Sequence, residues 1–201
     1  MRVTAITKQR REGRVNVYLD GRSALGLTLD ASAAAGLREE AARTDAMSRA
    51  MRLLSYRPRS EAELRQRLAR RGAPANVVEG TLLRLRELGL ADDAAFARAW
   101  LESRDRSSPR SGRLLRQELR AKGVDGETAG EALAVLDEED AASRAAARRL
   151  SALRGLAKDE FRRRLGDFLR RRGFGYETVR ATVESAWREL AGGRAETGGG
   201  A

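Results

Sequence analysis

This 201-residue sequence predicts a mainly α fold of three tandem three-helix modules in an elongated solenoid-like arrangement, with a small N-terminal β-hairpin extension. Three observations carry that expectation. One basic, two-leucine, glycine-terminated phrase occurs three times, as ELRQRLARRGA (63–73), LLRQELRAKGV (114–124) and RLGDFLRRRGF (164–174). Only 4% of residues are aromatic, so a core has to be built from Leu, Val and Ala, a composition that favours helices. From Ala31 onward Gly and Pro stand only where a helix would need to stop or start.

The repeat has a fixed register. Leu64, Leu115 and Leu165 correspond, as do Leu68, Leu119 and Leu169, and Gly72, Gly123 and Gly173, at offsets of 51 and 50 residues. The next helix repeats as well: Val78, Ala129 and Val179 match, then Leu82, Leu133 and Val183. A period near 50 residues that holds three helices is the signature of stacked helical units. Short helices are marginal alone, and packed as trios their leucine stripes bury one another.

Taken in order, residues 1–46 read as the hairpin extension and a lead-in helix. VNVYLDGRSALGLTL (15–29) alternates around Asp20-Gly21, a two-residue hairpin signal. Val15, Val17 and Leu19 would share one face, and RVTAI near the start is a candidate third strand. The segment serves most simply as a cap on the first module, with a share in partner binding as the alternative. A short helix then leads into a longer one ending near Tyr56.

Modules are expected at about 47–90, 91–141 and 142–190, followed by a disordered tail at 191–201. Ser60 and Glu63 form a capping box, Leu64 and Leu68 share a face, and Gly72 ends the helix in a left-handed C-cap. Val78, Leu82, Leu85 and Leu88 form the stripe of the next helix. Asp92 opens a helix carrying Phe96 and Trp100, and a polar break, RDRSSPRSG (104–112), precedes the second copy of the phrase. Asp137-Glu138-Glu139-Asp140 reads as a helix start favoured by the helix dipole, with contact to a basic partner patch as the alternative.

Charge narrows the function. Forty basic residues face 29 acidic ones, a net +11 that favours an anionic partner: nucleic acid, an acidic protein surface or anionic lipid. Zero Cys excludes disulfide and thiol chemistry, and zero His removes the usual general base and the commonest metal ligand. No apolar run reaches the length of a membrane span and no signal peptide opens the chain, so a cytoplasmic location is expected. No phosphate loop or marked nucleophile–base pair is present, and Asp92-Asp93 reads as a helix start rather than a cation site. No enzymatic activity, catalytic residue, metal or cofactor is expected.

The positive charge collects on the second helix of each module. Six Arg face two Glu over 57–71, seven basic residues face two acids over 104–122, and ten face three over 148–172. The candidate partner-binding residues are Arg65, Arg67, Arg70 and Arg71; Arg104, Arg113, Arg116, Arg120 and Lys122; and Arg162, Arg163, Arg170, Arg171 and Arg172. Modules stacked in one direction would align them as a discontinuous positive stripe. The competing account is a solvated face, with Arg59–Glu63 and Arg65–Glu61 as local ion pairs. Trp100 and Trp187 read as core; Tyr56 and Tyr176 have polar surroundings and read as exposed, and as a platform for nucleic-acid bases the sparse aromatics are a weak signal.

DDAAFARAWLESR (92–104), Gly112 and LRQELRAKGV (115–124) closely resemble the central signature of the RecX family, bacterial regulators of recombination, and LLSYRPRSEAEL (53–64) resembles that family's first module. The resemblance spans roughly residues 15–190. It implies an elongated helical modulator of the RecA recombinase, mainly an inhibitor, lying along the groove of the RecA–DNA filament and limiting filament extension, strand exchange, ATPase and coprotease activity. It implies no catalytic residues. Of the matching positions Asp93, Phe96, Trp100, Arg104, Glu118, Leu119, Lys122 and Gly123, most should specify the fold, with Arg104 and Lys122 the freest to touch a partner. The third module carries more Arg than a typical member, which raises the weight of direct contact with ssDNA or dsDNA. A monomer without membrane contact is expected. The rival readings are a stand-alone DNA-binding helical repeat protein and a structural adaptor whose arginines confer solubility.

Overall fold

The computed structural model describes residues 3–8, 14–20, 22–28 and 31–197. Among them lie three strands, β1 (Val3–Lys8), β2 (Arg14–Leu19) and β3 (Arg22–Thr28), and nine helices. The helices are α1 (Ala31–Tyr56), α2 (Glu61–Ala69), α3 (Ala75–Glu87), α4 (Asp93–Ser107), α5 (Gly112–Ala121), α6 (Gly126–Leu133), α7 (Glu138–Leu153), α8 (Lys158–Arg171) and α9 (Tyr176–Thr197). The chain divides into two compact units, residues 1–92 and 93–201.

The N-terminal expectation needs correction. The extension is not a lone β-hairpin but a three-stranded antiparallel sheet of order β1-β2-β3, in which β2 and β3 form the hairpin and the candidate strand near the start becomes β1. A two-stranded ribbon is marginal in water; here the outer strand β1 pairs along β2 from Lys8↔Val15 to Val3↔Leu19 and also packs on α1. The ladder shifts register between Val3 and Ala5 and again between Val17 and Tyr18, as β-bulges do. Asp20 takes up the left-handed conformation at the β2–β3 turn, at φ 50°, a position short polar side chains tolerate. The proposed common face of Val15, Val17 and Leu19 lies outside the described side chains.

Helix ends differ from expectation at three places. Residues 31–56 form one continuous helix, since Gly36 alone does not break a stretch so rich in Ala, Leu and Arg. The expected boundary between residues 141 and 142 falls inside α7, whose N-cap is Asp137. Residues 191–197, expected as tail, continue α9, and the last four residues lie outside the described part.

Each phrase forms the middle helix of a trio: α2 with α1 and α3, α5 with α6 beside α4, and α8 with α7 and α9. All twelve repeated apolar positions are buried, from Leu64 at 0% to Leu133 at 8% exposure. The three phrase-ending glycines share one conformation, with φ of 83°, 81° and 88°. Beyond each, a backbone N–H reaches back to the second repeated leucine's carbonyl: Ala73 to Leu68, Val124 to Leu119 and Phe174 to Leu169. That closure satisfies a helix-end carbonyl and swings the chain into the third helix.

Candidate partner-binding surface

Ion pairing and burial divide the expected arginines into two groups. In the second module, Glu118 is the hub. Its carboxylate accepts from Arg104 Nε at 2.8 Å, from Trp100 Nε1 at 2.9 Å and from Arg110. Arg104 also lies over the Trp100 ring at 4.3 Å, and Lys122 approaches the same ring at 5.0 Å. Arg104 and Lys122, expected to be free for a partner, therefore clamp α4 to α5. That correction follows from Glu118, which sits 14 residues after Arg104 and faces it only once the helices pack.

The polar break 104–112 is a seat rather than a linker. Ser111 N donates to Arg172 O at 3.0 Å, and Arg172 Nη1 donates to Pro109 O at 3.2 Å and to Ser108 Oγ. Arg148 donates to the carbonyls of Arg106 at 2.5 Å and Ser107 at 3.2 Å, where the negative end of α4 welcomes a cation. Arg144 pairs with Asp105 at 2.5 Å, and Glu138 accepts from Gly112 N at 3.2 Å. Asp137 caps α7 by accepting from Glu139 N and Asp140 N, and Asp140 pairs with Arg144, so Asp137, Glu138 and Asp140 of the acidic run are engaged within the chain. Burial, then the charges of Arg110, Arg148 and Arg149, push the Arg172 guanidinium below its ordinary pKa. Arg172 thus holds the second module to the third.

Other expected site residues are paired more loosely. Arg65 holds Glu79 of α3 at 2.7 Å, Arg162 holds Glu184 of α9 at 2.6 Å, and Arg170 bonds Asp167. The local pairs foreseen from sequence give way to others: Arg57 meets Glu63 at 3.0 Å, Arg86 meets Glu61 at 2.9 Å, and Arg59 turns its Nε to Leu53 O at 3.0 Å.

Eight expected residues remain exposed without a salt bridge among the described residues: Arg67, Arg70 and Arg71 on and just after α2, Arg113, Arg116 and Arg120 on α5, and Arg163 and Arg171 on α8. Those of α2 face a groove of about 630 Å³ between α1 and α2, whose other wall carries Arg49, Arg52 and Tyr56. Arg49 and Arg52 were missed in the sequence reading. The steps from Arg49 to Arg52 and from Arg52 to Tyr56, three and four residues along α1, are the signal that places all three on one face. Trp100 and Trp187 pack with the apolar clusters of their modules, while Tyr56 and Tyr176 are 77% and 72% exposed. Among the described residues no cluster of acids could hold a metal ion, and no helix is long and apolar enough to cross a membrane.

These features define a class: a helical repeat protein that acts by binding, presenting unspent guanidinium groups on a frame held by spent ones. Sequence models of the first, second and third three-helix domains of RecX match residues 46–85, 92–133 and 137–183. Curated relatives called regulatory protein RecX include that of Streptomyces coelicolor, 39% identical over 69% of this chain and 76% of its own. That of Mycobacterium marinum is 44% identical over 78% and 89%. A crystal structure of regulatory protein RecX superposes with a TM-score of 0.66 at 24% identity, covering 91% of this chain and 98% of that one. RecX from Lactobacillus salivarius gives 0.63 at 17% identity over 72% and 96%; both show likeness of fold. The chain belongs to the RecX family, the non-enzymatic bacterial regulators of the RecA recombinase.

Proposed function

We propose that this protein inhibits RecA by lying along the groove of the RecA–DNA filament, where it limits filament extension, strand exchange and coprotease activity. The observation that supports the reading is the pool of exposed, unpaired arginines on the middle helices of all three family domains. Each module then adds a weak contact, and linked weak contacts multiply into useful affinity. The chemistry is steric and electrostatic: guanidinium groups meet phosphates or acidic side chains, and the protein fills space that the second DNA needs. The reading takes the protein as a cytoplasmic monomer.

The test is RecA ATPase and strand exchange on single-stranded DNA with increasing amounts of the protein, with imaging of the filaments. Progressive inhibition with protein density along the filament is expected. Unchanged ATPase and strand exchange at saturating protein would refute it. A stand-alone DNA-binding protein is the second reading, favoured by the Arg-lined groove of the first module; it requires tight binding to naked DNA that filaments do not improve.

A further inference from the structure

The groove between α1 and α2 has properties that neither the fold nor the proposed filament contact requires. Its floor includes Leu53 and Leu68, and its rims are two helical faces. Along α1 the lining positions are Asp45, Ser48, Arg49, Arg52 and Tyr56, a polar stripe at three- and four-residue spacing. From α2 and its C-terminal turn come Glu63, Gln66, Arg67, Arg70 and Arg71. Both acids are already engaged, Asp45 by Arg49 at 2.6 Å and Glu63 by Arg57 at 3.0 Å. Arg52, Arg67, Arg70 and Arg71 have no salt bridge among the described residues, and all four are exposed. Four like charges around one concavity repel unless an anion enters. Tyr56 stands among them, 77% exposed, where an aromatic ring gains nothing from burial.

We propose that this groove is a seat for single-stranded nucleic acid: Arg52, Arg67, Arg70 and Arg71 take the phosphates, and one base stacks on Tyr56. The aromatic ring decides between ligands. An acidic peptide would use the guanidinium groups and leave Tyr56 idle, and a duplex keeps its bases stacked inside. A cationic groove with an exposed ring is what unpaired bases recognise without regard to sequence. The proposal deepens the filament reading, since it makes the first module the part that touches the DNA strand.

The experiment uses the full chain and a fluorescent oligothymidine, with binding read by anisotropy across a salt series. Four phosphate contacts on a single strand correspond to a slope of about −2.8 in log K against log salt. Replacing Arg67, Arg70 and Arg71 together by Ser should cut the slope to about −0.7 and weaken binding at low salt by tenfold or more, on the order expected from lost counterion release. Tyr56→Ala should weaken binding about tenfold and Tyr56→Phe leave it nearly unchanged, because the ring's face does the stacking. Circular dichroism checks that helix content is kept. An unchanged slope in the triple variant, equal binding by Tyr56→Ala and wild type, or displacement of the oligothymidine by polyglutamate at equal charge concentration would each overturn the proposal. Oligothymidine binding that survives while wild type fails to inhibit RecA would instead sink the filament reading and leave the groove standing.

Discussion

Gly173 offers the sharpest stability test, because the three phrase-ending glycines look equivalent in sequence and are not equivalent in structure. Gly72 and Gly173 both have left-handed backbones, as does Gly155 after α7, at φ of 83°, 88° and 89°. A Cβ on Gly72 or Gly155 would meet nothing within 4 Å. One on Gly173 would collide with Ser111 Oγ and come to 3.0 Å from Leu114 Cβ. The left-handed conformation costs an L-residue about 1–2 kcal/mol, and that is the whole expected effect of Gly155→Ala. Gly173→Ala adds overpacking of about 1–3 kcal/mol. It also disturbs Ser111, fully buried and the N-cap of α5 with its Oγ accepting from Leu114 N at 3.2 Å, where a lost cap costs about 1 kcal/mol. The sum is roughly 3–6 kcal/mol against about 1–2 for Gly155→Ala. Urea unfolding followed by circular dichroism measures both. Trp100 and Trp187 are the only two tryptophans, one in each of the two modules, so single-Trp versions read the modules separately. Wild type should unfold with coincident transitions, and Gly173→Ala should separate them. Equal destabilisation by the two alanines, within about 0.5 kcal/mol, the scatter of near-neutral substitutions, would refute the idea that this glycine closes the joint.

Leu169→Ala removes a fully buried side chain from the third module and should cost about 2–5 kcal/mol by urea unfolding; a loss under about 1 kcal/mol would mean the site collapses around the cavity. Glu118→Ala strands Arg104 and Arg110, which are about a third exposed, so a loss of about 2 kcal/mol is expected, below that of a fully buried pair. Ser60→Ala, which removes the N-cap of α2, should cost about 1 kcal/mol by the same measurement. Asp125 is held below the usual carboxylate range, first by the Thr128 hydroxyl and then by Thr128 N–H, and Asp167 by its bond from Arg170. Both pKa values are lower folded than unfolded, so their contribution is complete above the ordinary carboxylate range and fades as pH falls through it and below. Asp125→Asn should therefore flatten the acid limb of a stability–pH curve, and an unchanged limb would contradict the assignment.

What the amino-acid order determined by itself was the periodic part. Leu64, Leu115 and Leu165, with their partners four residues on and the glycines that follow, are legible because a helix buries a stripe at three- and four-residue spacing and stops where the backbone turns left-handed. The capping box at Ser60 is legible for the same local reason. Which arginines were free was not legible, because pairing is decided by residues far apart in the chain. Glu118 claims Arg104 from 14 positions away, and Arg172 reaches Ser108 across 64. The unbroken α1 and the groove in front of Tyr56 likewise depend on what packs against what. Propensity and spacing act within a few residues, whereas desolvation and charge pairing act through space, and only the folded chain sets those distances.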